Sequence, residues 1–210
     1  MSNPTRPQGP PPPSTLVRRA GVTPRKLPTP PKAQVIPAPG RAPTTGKLSV
    51  FLAGSITASK AGPDWRVPLI ASLRNHQFTL FNPLRAEWDG TWREDISHIQ
   101  FHEQVDWEQD MQERADVLVV YFGAMTDAPI SLLELGLSAR SPTKKIIVVC
   151  HNLYPKLGYV EIVSRRLGLD FFRVRDEDDL LRGVQERLFK LLRAILPRRA
   201  PPGLQGQQGA

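Results

Sequence analysis

The protein has 210 residues, of which 40% are apolar, and its 28 Lys and Arg against 20 Asp and Glu give a net charge of +8. The single cysteine excludes an intramolecular disulfide bond and fits a reducing compartment. Apolar stretches such as 117–122 are far shorter than the roughly 18 residues of a membrane span, so membrane-spanning classes are excluded as well. We expect a soluble cytoplasmic protein.

The basic charge lies in the two terminal segments. Residues 1–46 contain seven Lys or Arg, thirteen Pro and no acidic residue, and residues 197–210 contain two Arg and three Pro. Proline removes amide donors and favours extended conformations, so the sequence predicts disordered tails over 1–46 and 197–210. Residues 47–196 carry 19 basic and 20 acidic residues, and this length suffices for one domain with its own hydrophobic core.

The N-terminal tail contains one docking pattern. Arg25, Pro28 and Pro31 match the basic-x-x-Pro-x-x-Pro pattern bound by SH3-type grooves, and the alternative interpretation is a solvated basic linker. No aromatic residue is interleaved with the basic ones for base stacking, so we do not expect specific nucleic-acid binding. The charge instead predicts salt-sensitive association with an acidic partner or surface.

Between the tails, apolar runs alternate with helical patterns. Strands that alternate with helices along a chain pair in parallel, and the helices cover both faces of the sheet. The sequence therefore predicts a single α/β domain of the Rossmann-like or flavodoxin-like type with a five-stranded parallel sheet. The predicted strands are 48–53, 79–81, 117–122, 145–150 and 171–174. The predicted helices are 65–75, 99–115, 130–139, 160–167 and 176–196.

Two acidic residues are expected at the ligand-binding edge of this sheet. Open parallel sheets bind ligands beyond the carboxyl ends of their strands, where the segment containing Glu134 lies. Glu108 precedes Asp116 by eight residues on a helix that runs back along the sheet, which places it about 12 Å toward the same edge at about 1.5 Å per residue. Asp116 itself starts a strand and is expected at the opposite edge. We expect Glu108 and Glu134 to meet.

Glu134 is conspicuous because it interrupts an otherwise apolar helix, ISLLELGL. Burying a lone carboxylate is costly, so such a residue needs a partner or a catalytic role. The alternative is a Glu134 that faces solvent or pairs with Arg140.

His98 and His102 have helical spacing but no third ligand with suitable spacing, so we expect neither a metal nor another cofactor.

Five motifs in order carry a family resemblance. They are FLAGSI at 51–56, FNPLR at 81–85, QVDWE at 104–108, AD at 115–116 and SLLELG at 131–136. Together they resemble the nucleoside 2-deoxyribosyltransferase-like family over about residues 47–175. LGYVE at 157–161 and RRLG at 165–168 are similar to the later part of the second branch of that family.

The resemblance implies cleavage of the N-glycosidic bond of a nucleoside or nucleotide. The glutamate of the Glu-Leu-Gly motif, here Glu134, is the family's nucleophile and forms a covalent glycosyl-enzyme. A second base resolves this intermediate in a transferase, and water resolves it in a hydrolase. Glu108 stands where the family usually has an aspartate, as the acid that then acts as a base.

The resemblance also implies which residues bind the substrate. Gly54 and Ser55 would approach the sugar or its 5′ substituent, which is a phosphate in relatives that take nucleoside monophosphates. Phe51 replaces a tyrosine of several relatives. Further candidates are Arg85 for a phosphate or base edge, Asp127 as the upstream aspartate of transferases, and Asn82 in the second motif. Apart from the resemblance, Trp88, Trp92 and Trp107 could stack on a base, and the alternative is that they cover the core.

A homo-oligomer is expected, because relatives form dimers or larger assemblies. The rival hypothesis is a catalytically inactive nucleotide-sensing domain whose proline-rich tail recruits partners, motivated by Phe51 and by the altered region around Asp127. A third hypothesis is that the protein is a scaffold whose function depends on the proline-rich tail alone. The sequence leaves open the choice between transferase and hydrolase, ribose and deoxyribose, and purine and pyrimidine.

Overall fold

A computed structural model describes residues 32–55, 64–85, 87–88 and 91–196. Within these residues the strands are β1 (Gln34–Pro37), β2 (Leu48–Gly54), β3 (Phe78–Asn82), β4 (Val117–Phe122), β5 (Lys145–His151) and β6 (Asp170–Val174). The helices are α1 (Arg66–Leu73), α2 (Ile99–Arg114), α3 (Pro129–Ser138), α4 (Leu157–Arg166) and α5 (Glu177–Ile195). The disorder predicted for 1–31 and 197–210, and the docking pattern at Arg25, lie outside the described residues.

All strands pair in parallel in the order β1-β3-β2-β4-β5-β6. Without β1 this is the flavodoxin-like order, in which the chain reverses direction across the sheet between β2 and β4. The predicted α/β class and parallel sheet are confirmed. The prediction of five strands is wrong, because β1 adds a sixth at the edge.

Strand β1 also overturns the predicted disorder for the last part of the N-terminal tail. Its register pairs Val35 with Leu80 and Ile36 with Phe81 of β3. Ile36 is buried in the core, and the amide of Ala38 continues the pairing by donating to the carbonyl of Asn82 at 3.0 Å. Proline is tolerated at an edge strand, so the prolines around β1 do not prevent it from pairing.

The core has two parts, one on each face of the sheet. Side chains of β2, β4 and β5 alternate between them, as in strands buried on both faces. Helices α2, α3 and α4 cover one face, where Trp107, Met111 and Leu135 are buried. Helices α1 and α5 cover the other, where Leu69 and Val184 are buried.

The longest helix, α5, shows how local sequence fixes an element boundary. The carboxylate of Asp176 at its N-cap accepts a hydrogen bond from the amide of Asp179 at 2.8 Å, and acidic residues fill its first turn.

Within the described part of the chain, α5 and the other helices lack the combination of length and apolar character needed to cross a bilayer.

Candidate active site

A cavity of about 680 Å³ opens at the carboxyl ends of β2 and β4. This is the topological switch point, where neighbouring loops diverge and leave a crevice. Its walls come from the end of β2, the loop after β3, helix α2, and the β4–α3 loop with the start of α3. Among the residues predicted from the sequence, Gly54, Ser55, Arg85, Glu108 and Glu134 line it.

The turn at Gly54 and Ser55 lies at the end of β2 and contacts β4 at the cavity floor. Gly54 has φ of 126°, and a Cβ there would lie 2.3 Å from the carbonyl oxygen of Tyr121, so only glycine fits. The Ser55 hydroxyl accepts from the amide of Gly123 at 3.3 Å and lies 2.9 Å from the hydroxyl of Thr126. The turn therefore fixes the β4–α3 loop against β2.

The two predicted acids lie in the same cavity. Glu134 projects from α3 and is only 6% exposed, and Glu108 projects from α2. Burial, and after it the nearby carboxylate of Glu108, raise the pKa of Glu134 to about 7, against the opposing effects of Arg66 and of the hydrogen bond from Gln112. Burial also raises the pKa of Glu108. Two carboxyl groups that interact in this way titrate as a pair, because ionisation of one hinders ionisation of the other.

Helix α2 supplies three site residues at intervals of four. Gln104, Glu108 and Gln112 therefore form one row along the helix. Gln104 donates through Nε2 to Glu108 Oε1 at 2.7 Å and to the carbonyl of Pro83 at 2.9 Å. Gln112 donates through Nε2 to Glu134 Oε1 at 2.5 Å. Each carboxyl group is thus oriented by an amide of the same helix.

Arg66 is a cavity residue that the sequence analysis missed. It is 1% exposed, and its guanidinium donates to the carbonyl oxygens of Leu52 at 2.8 Å and Gly54 at 2.6 Å. It also forms an ion pair with Asp64 at 3.0 Å. Burial lowers its pKa, and Asp64 opposes that shift most, followed by Glu134 and Glu108. A signal was present, since a cation in the first turn of a helix is unfavourable unless something else binds it.

An aromatic wall stands between the loop after β3 and α2. Trp88 and Phe101 line the cavity with ring centroids 6.2 Å apart, and Trp92 packs on Trp88 at 4.9 Å. The guanidinium of Arg85 lies 5.0 Å from the Trp92 ring centroid and bonds to Glu103 at 2.8 Å. Arg85 is therefore held in the wall. The cavity offers a polar group of acids and an aromatic surface.

Four predicted binding residues lie elsewhere. Phe51 and Trp107 are fully buried in the core and pack on each other, with ring centroids 6.1 Å apart. Asn82 closes β3 by accepting from the amide of Leu84 at 3.3 Å. The side chain of Asp127 is 90% exposed and faces Lys156 at 3.7 Å. Phe51 and Trp107 resemble functional residues by motif, but hydrophobic packing accounts for their positions.

The loop that leads into α3 has an unusual backbone. Met125 and Ala128 have φ of 54° and 47°, a left-handed conformation that costs a residue with a Cβ about 1 kcal/mol or more. Both residues line the cavity. Pro129 then begins α3 and Ser131 is buried beside Glu134. Such strain is typical of loops that hold a functional side chain in place.

Comparison with known proteins agrees with this geometry. The family model described as Nucleoside 2-deoxyribosyltransferase like matches residues 47–154, just over half of the chain. The search of curated proteins finds no match. The matched region begins at β2 and ends after β5, so it includes the Gly54 turn, α2 and α3. The chain belongs to the nucleoside 2-deoxyribosyltransferase-like family.

Proposed function

We propose that the protein cleaves or transfers at the N-glycosidic bond of a nucleoside or nucleoside monophosphate through a glycosyl ester on Glu134. The observation that carries the proposal is the pair of carboxyl groups, buried Glu134 and half-buried Glu108, in one cavity at the switch point. Retaining glycosidases use such a pair, one as nucleophile and the other as acid and base. Membership of the family supports the same chemistry.

In the proposed first step, the anomeric carbon exchanges its bond to the base for a bond to Glu134. A carboxylate oxygen of Glu134 bonds to the anomeric carbon while the bond from that carbon to the base nitrogen breaks, and its electron pair stays on the base. Glu108 gives its proton to the departing base. Gln112 donates to Oε1 of Glu134, which leaves the other oxygen to attack. In the second step, Glu108 takes a proton from water or from an incoming base, which then displaces Glu134.

This step requires one proton for the two acids. Burial raises the pKa of both, and the charge of Glu108 also raises that of Glu134, so the ionised form of one acid favours the protonated form of the other. The reaction needs that proton on Glu108 and the charge on Glu134. An anomeric carbon with developing positive charge beside Glu134 favours this distribution, because it stabilises the carboxylate nearest to it.

The cavity walls suggest how the substrate binds. The exposed ring of Trp88, with Phe101 beside it, offers a stacking surface for the base. Gly54 and Ser55 form the part of the floor where backbone can approach the sugar closely. In this arrangement the anomeric carbon lies between the aromatic wall and Glu134.

The test is a panel of ribonucleosides, deoxynucleosides and their 5′-monophosphates, with free base measured by chromatography. We expect base release from at least one class, loss of at least a thousandfold in Glu134→Gln, and an adduct on Glu134 in the intact mass spectrum. Glu186→Gln, an exposed residue of α5, is the matched control and should keep full activity. No release across the panel would contradict the proposal.

A second candidate function is nucleotide sensing without turnover. It is favoured by the position of Asp127, whose side chain points to solvent and not into the cavity. A pKa of about 7 also leaves Glu134 partly protonated at neutral pH, which weakens it as a nucleophile. Calorimetric binding of a monophosphate that is equally tight in Glu134→Gln, with no base release by the parent protein, would select this function.

A further inference from the structure

Helix α2 has a second row of side chains, roughly a third of a turn from the row that faces the cavity. Trp107, Asp110 and Arg114 are spaced three and four residues apart, so they lie along one side of the helix. Met111 is buried between the two rows. The contacts that fix the second row therefore also fix the direction in which the cavity-facing row points.

Three consecutive residues of the N-terminal segment contact this second row. The indole Nε1 of Trp107 donates to the carbonyl oxygen of Gly40 at 2.6 Å. The next residue, Arg41, forms an ion pair with Asp110. Arg114 then donates to the carbonyl oxygen of Ala42 at 3.1 Å. The 40–42 segment thus runs along α2 for two turns.

The 40–42 segment is itself anchored to the sheet on both sides. Before it, Ile36 is buried and the amide of Ala38 donates to Asn82. After it, Thr45 donates from its amide to Gln34 Oε1 at 2.8 Å, so the chain closes back onto β1. The amide of Gly46 donates to the Thr79 hydroxyl at 2.9 Å, which ties the end of this turn to β3. The segment is a fixed support and not a loose arm.

We propose that the 40–42 segment is a positioning device that sets the rotation of α2 and so aims Glu108 and Gln112 at the reaction centre. The inference rests on the proposed function of the acid pair. The segment lies outside the region that the family model matches, 47–154. Arg41, Trp107 and Arg114 are positioning residues, since they act through the helix.

A small rotation of α2 is enough to misplace the side chains of the site. Side-chain ends lie roughly 6 Å from a helix axis, so a rotation of about 20° moves them by about 2 Å. A displacement of about 1 Å at a reaction centre can cost about a hundredfold in rate. Because Gln104, Glu108 and Gln112 are in one row, a rotation of α2 misplaces all three together.

The test is a charge exchange in the full chain. Arg41→Glu places like charges together at Asp110 and should lower kcat about tenfold, with KM changed less than twofold. The double variant Arg41→Glu/Asp110→Arg restores the pair in reverse and should recover most of kcat. Arg182→Glu makes the same charge change at an ion pair of α5, to Asp179 at 2.8 Å, and should leave kcat unchanged.

A second measurement does not depend on turnover. Amide hydrogen exchange over α2 should be faster in Arg41→Glu and in Trp107→Phe, which keeps an aromatic side chain but lacks the indole N–H that donates to Gly40. Exchange and kcat equal to those of the parent in both variants, or no recovery in the double variant, would overturn the inference. A parent protein without turnover on any nucleoside would instead defeat the proposed function, and the two failures are therefore distinguishable.

Discussion

At the scale of single residues, the site depends on a carboxyl group that burial keeps partly protonated. Glu134 has a pKa of about 7 because it is buried and faces Glu108, while Arg66 and Gln112 moderate the shift. Its attack requires the ionised form. The rate should therefore rise with pH as Glu134 ionises, through about 7 and far above the value of 4.5 that is usual for glutamate, and it should fall again where Glu108 loses the proton that the first step requires.

The pH profile of kcat/KM tests this expectation. Glu108→Gln removes the charge that helps to raise the pKa of Glu134, so the acid limb should move to lower pH. This variant is best measured with an N7-alkylated purine nucleoside, whose base leaves without protonation. Glu113→Gln neutralises an exposed carboxylate of the same helix and should keep the parent profile. An acid limb near pH 4.5 in the parent would contradict the prediction.

The same carboxyl group should reduce stability as pH rises. A folded-state pKa near 7 against 4.5 unfolded means that the folded protein binds the proton more tightly. The stability that the protonated Glu134 contributes is thus fully present below about pH 4.5. This stability, roughly 3 kcal/mol, is lost as pH rises through 7. In urea unfolding, the free energy of unfolding of Glu134→Gln relative to the parent should increase by about this much from pH 5 to pH 8.5. That of Glu186→Gln should stay equal to the parent's over the same range. A gain independent of pH would refute it.

The residues that could be foreseen are those whose chemistry conflicts with their local pattern. Glu134 stood out because a carboxylate interrupts an apolar helix, and Glu108 because of its spacing before a strand. Arg66 is harder to foresee because, apart from Asp64, its hydrogen-bond partners are the carbonyls of Leu52 and Gly54, which are backbone groups that no sequence pattern identifies. Trp107 is a candidate for base stacking from the sequence alone because its motif does not reveal which side of α2 faces the core.

At the scale of elements, β1 is the part of the fold that the sequence concealed. A strand of four residues beside prolines has no visible period, and its pairing partner β3 lies more than forty residues away. The strands that were foreseen, such as β4, are continuous apolar runs that need no partner to be recognised. A short edge strand is specified mainly by tertiary contacts, which local patterns do not encode.

Packing in β1 can be measured by truncating one side chain. Ile36 is 2% exposed in the core between β1 and α2, so Ile36→Ala should cost about 2–5 kcal/mol in urea unfolding. Val35 is the next residue of the same strand but is 40% exposed, and Val35→Ala should cost about 0.5 kcal/mol or less. Equal and small costs at both positions would mean that β1 does not pack on the domain in solution.

At the scale of the whole molecule, one side of the domain has an apolar surface. Helices α3 and α4 follow the neighbouring strands β4 and β5, and five of their large apolar side chains are between 58% and 73% exposed. Surfaces of this kind usually mark a protein interface, and the homo-oligomer expected from the family would cover it. These side chains are Ile130, Leu133, Leu137, Tyr159 and Ile162.

Light scattering after gel filtration tests this expectation. The parent should have at least twice the mass of one chain, and Leu133→Lys/Leu137→Lys should lower it to that of a monomer. Ile195→Lys changes an exposed apolar residue of α5, on the opposite face of the sheet, and should keep the parent mass. A monomeric parent at tens of micromolar would show that the surface serves another purpose.

The N-terminal region should divide into two functional parts at residue 32. Residues 1–31 contain ten prolines, five Lys or Arg and no acid, and so add charge but few side chains that could fill a core. Residues 33–46 include β1 and the 40–42 segment, which contact the core and α2.

Two truncations separate these parts. Deleting 1–31 should leave the melting temperature and kcat unchanged, and the protein should elute from a cation exchanger at lower salt, because five positive charges are gone. Deleting 1–46 should lower the melting temperature by at least about 5 °C, since it removes the buried Ile36, and should lower kcat because α2 loses its support. If the longer deletion kept both the stability and the turnover of the shorter one, β1 would be dispensable and the catalytic unit would begin at β2.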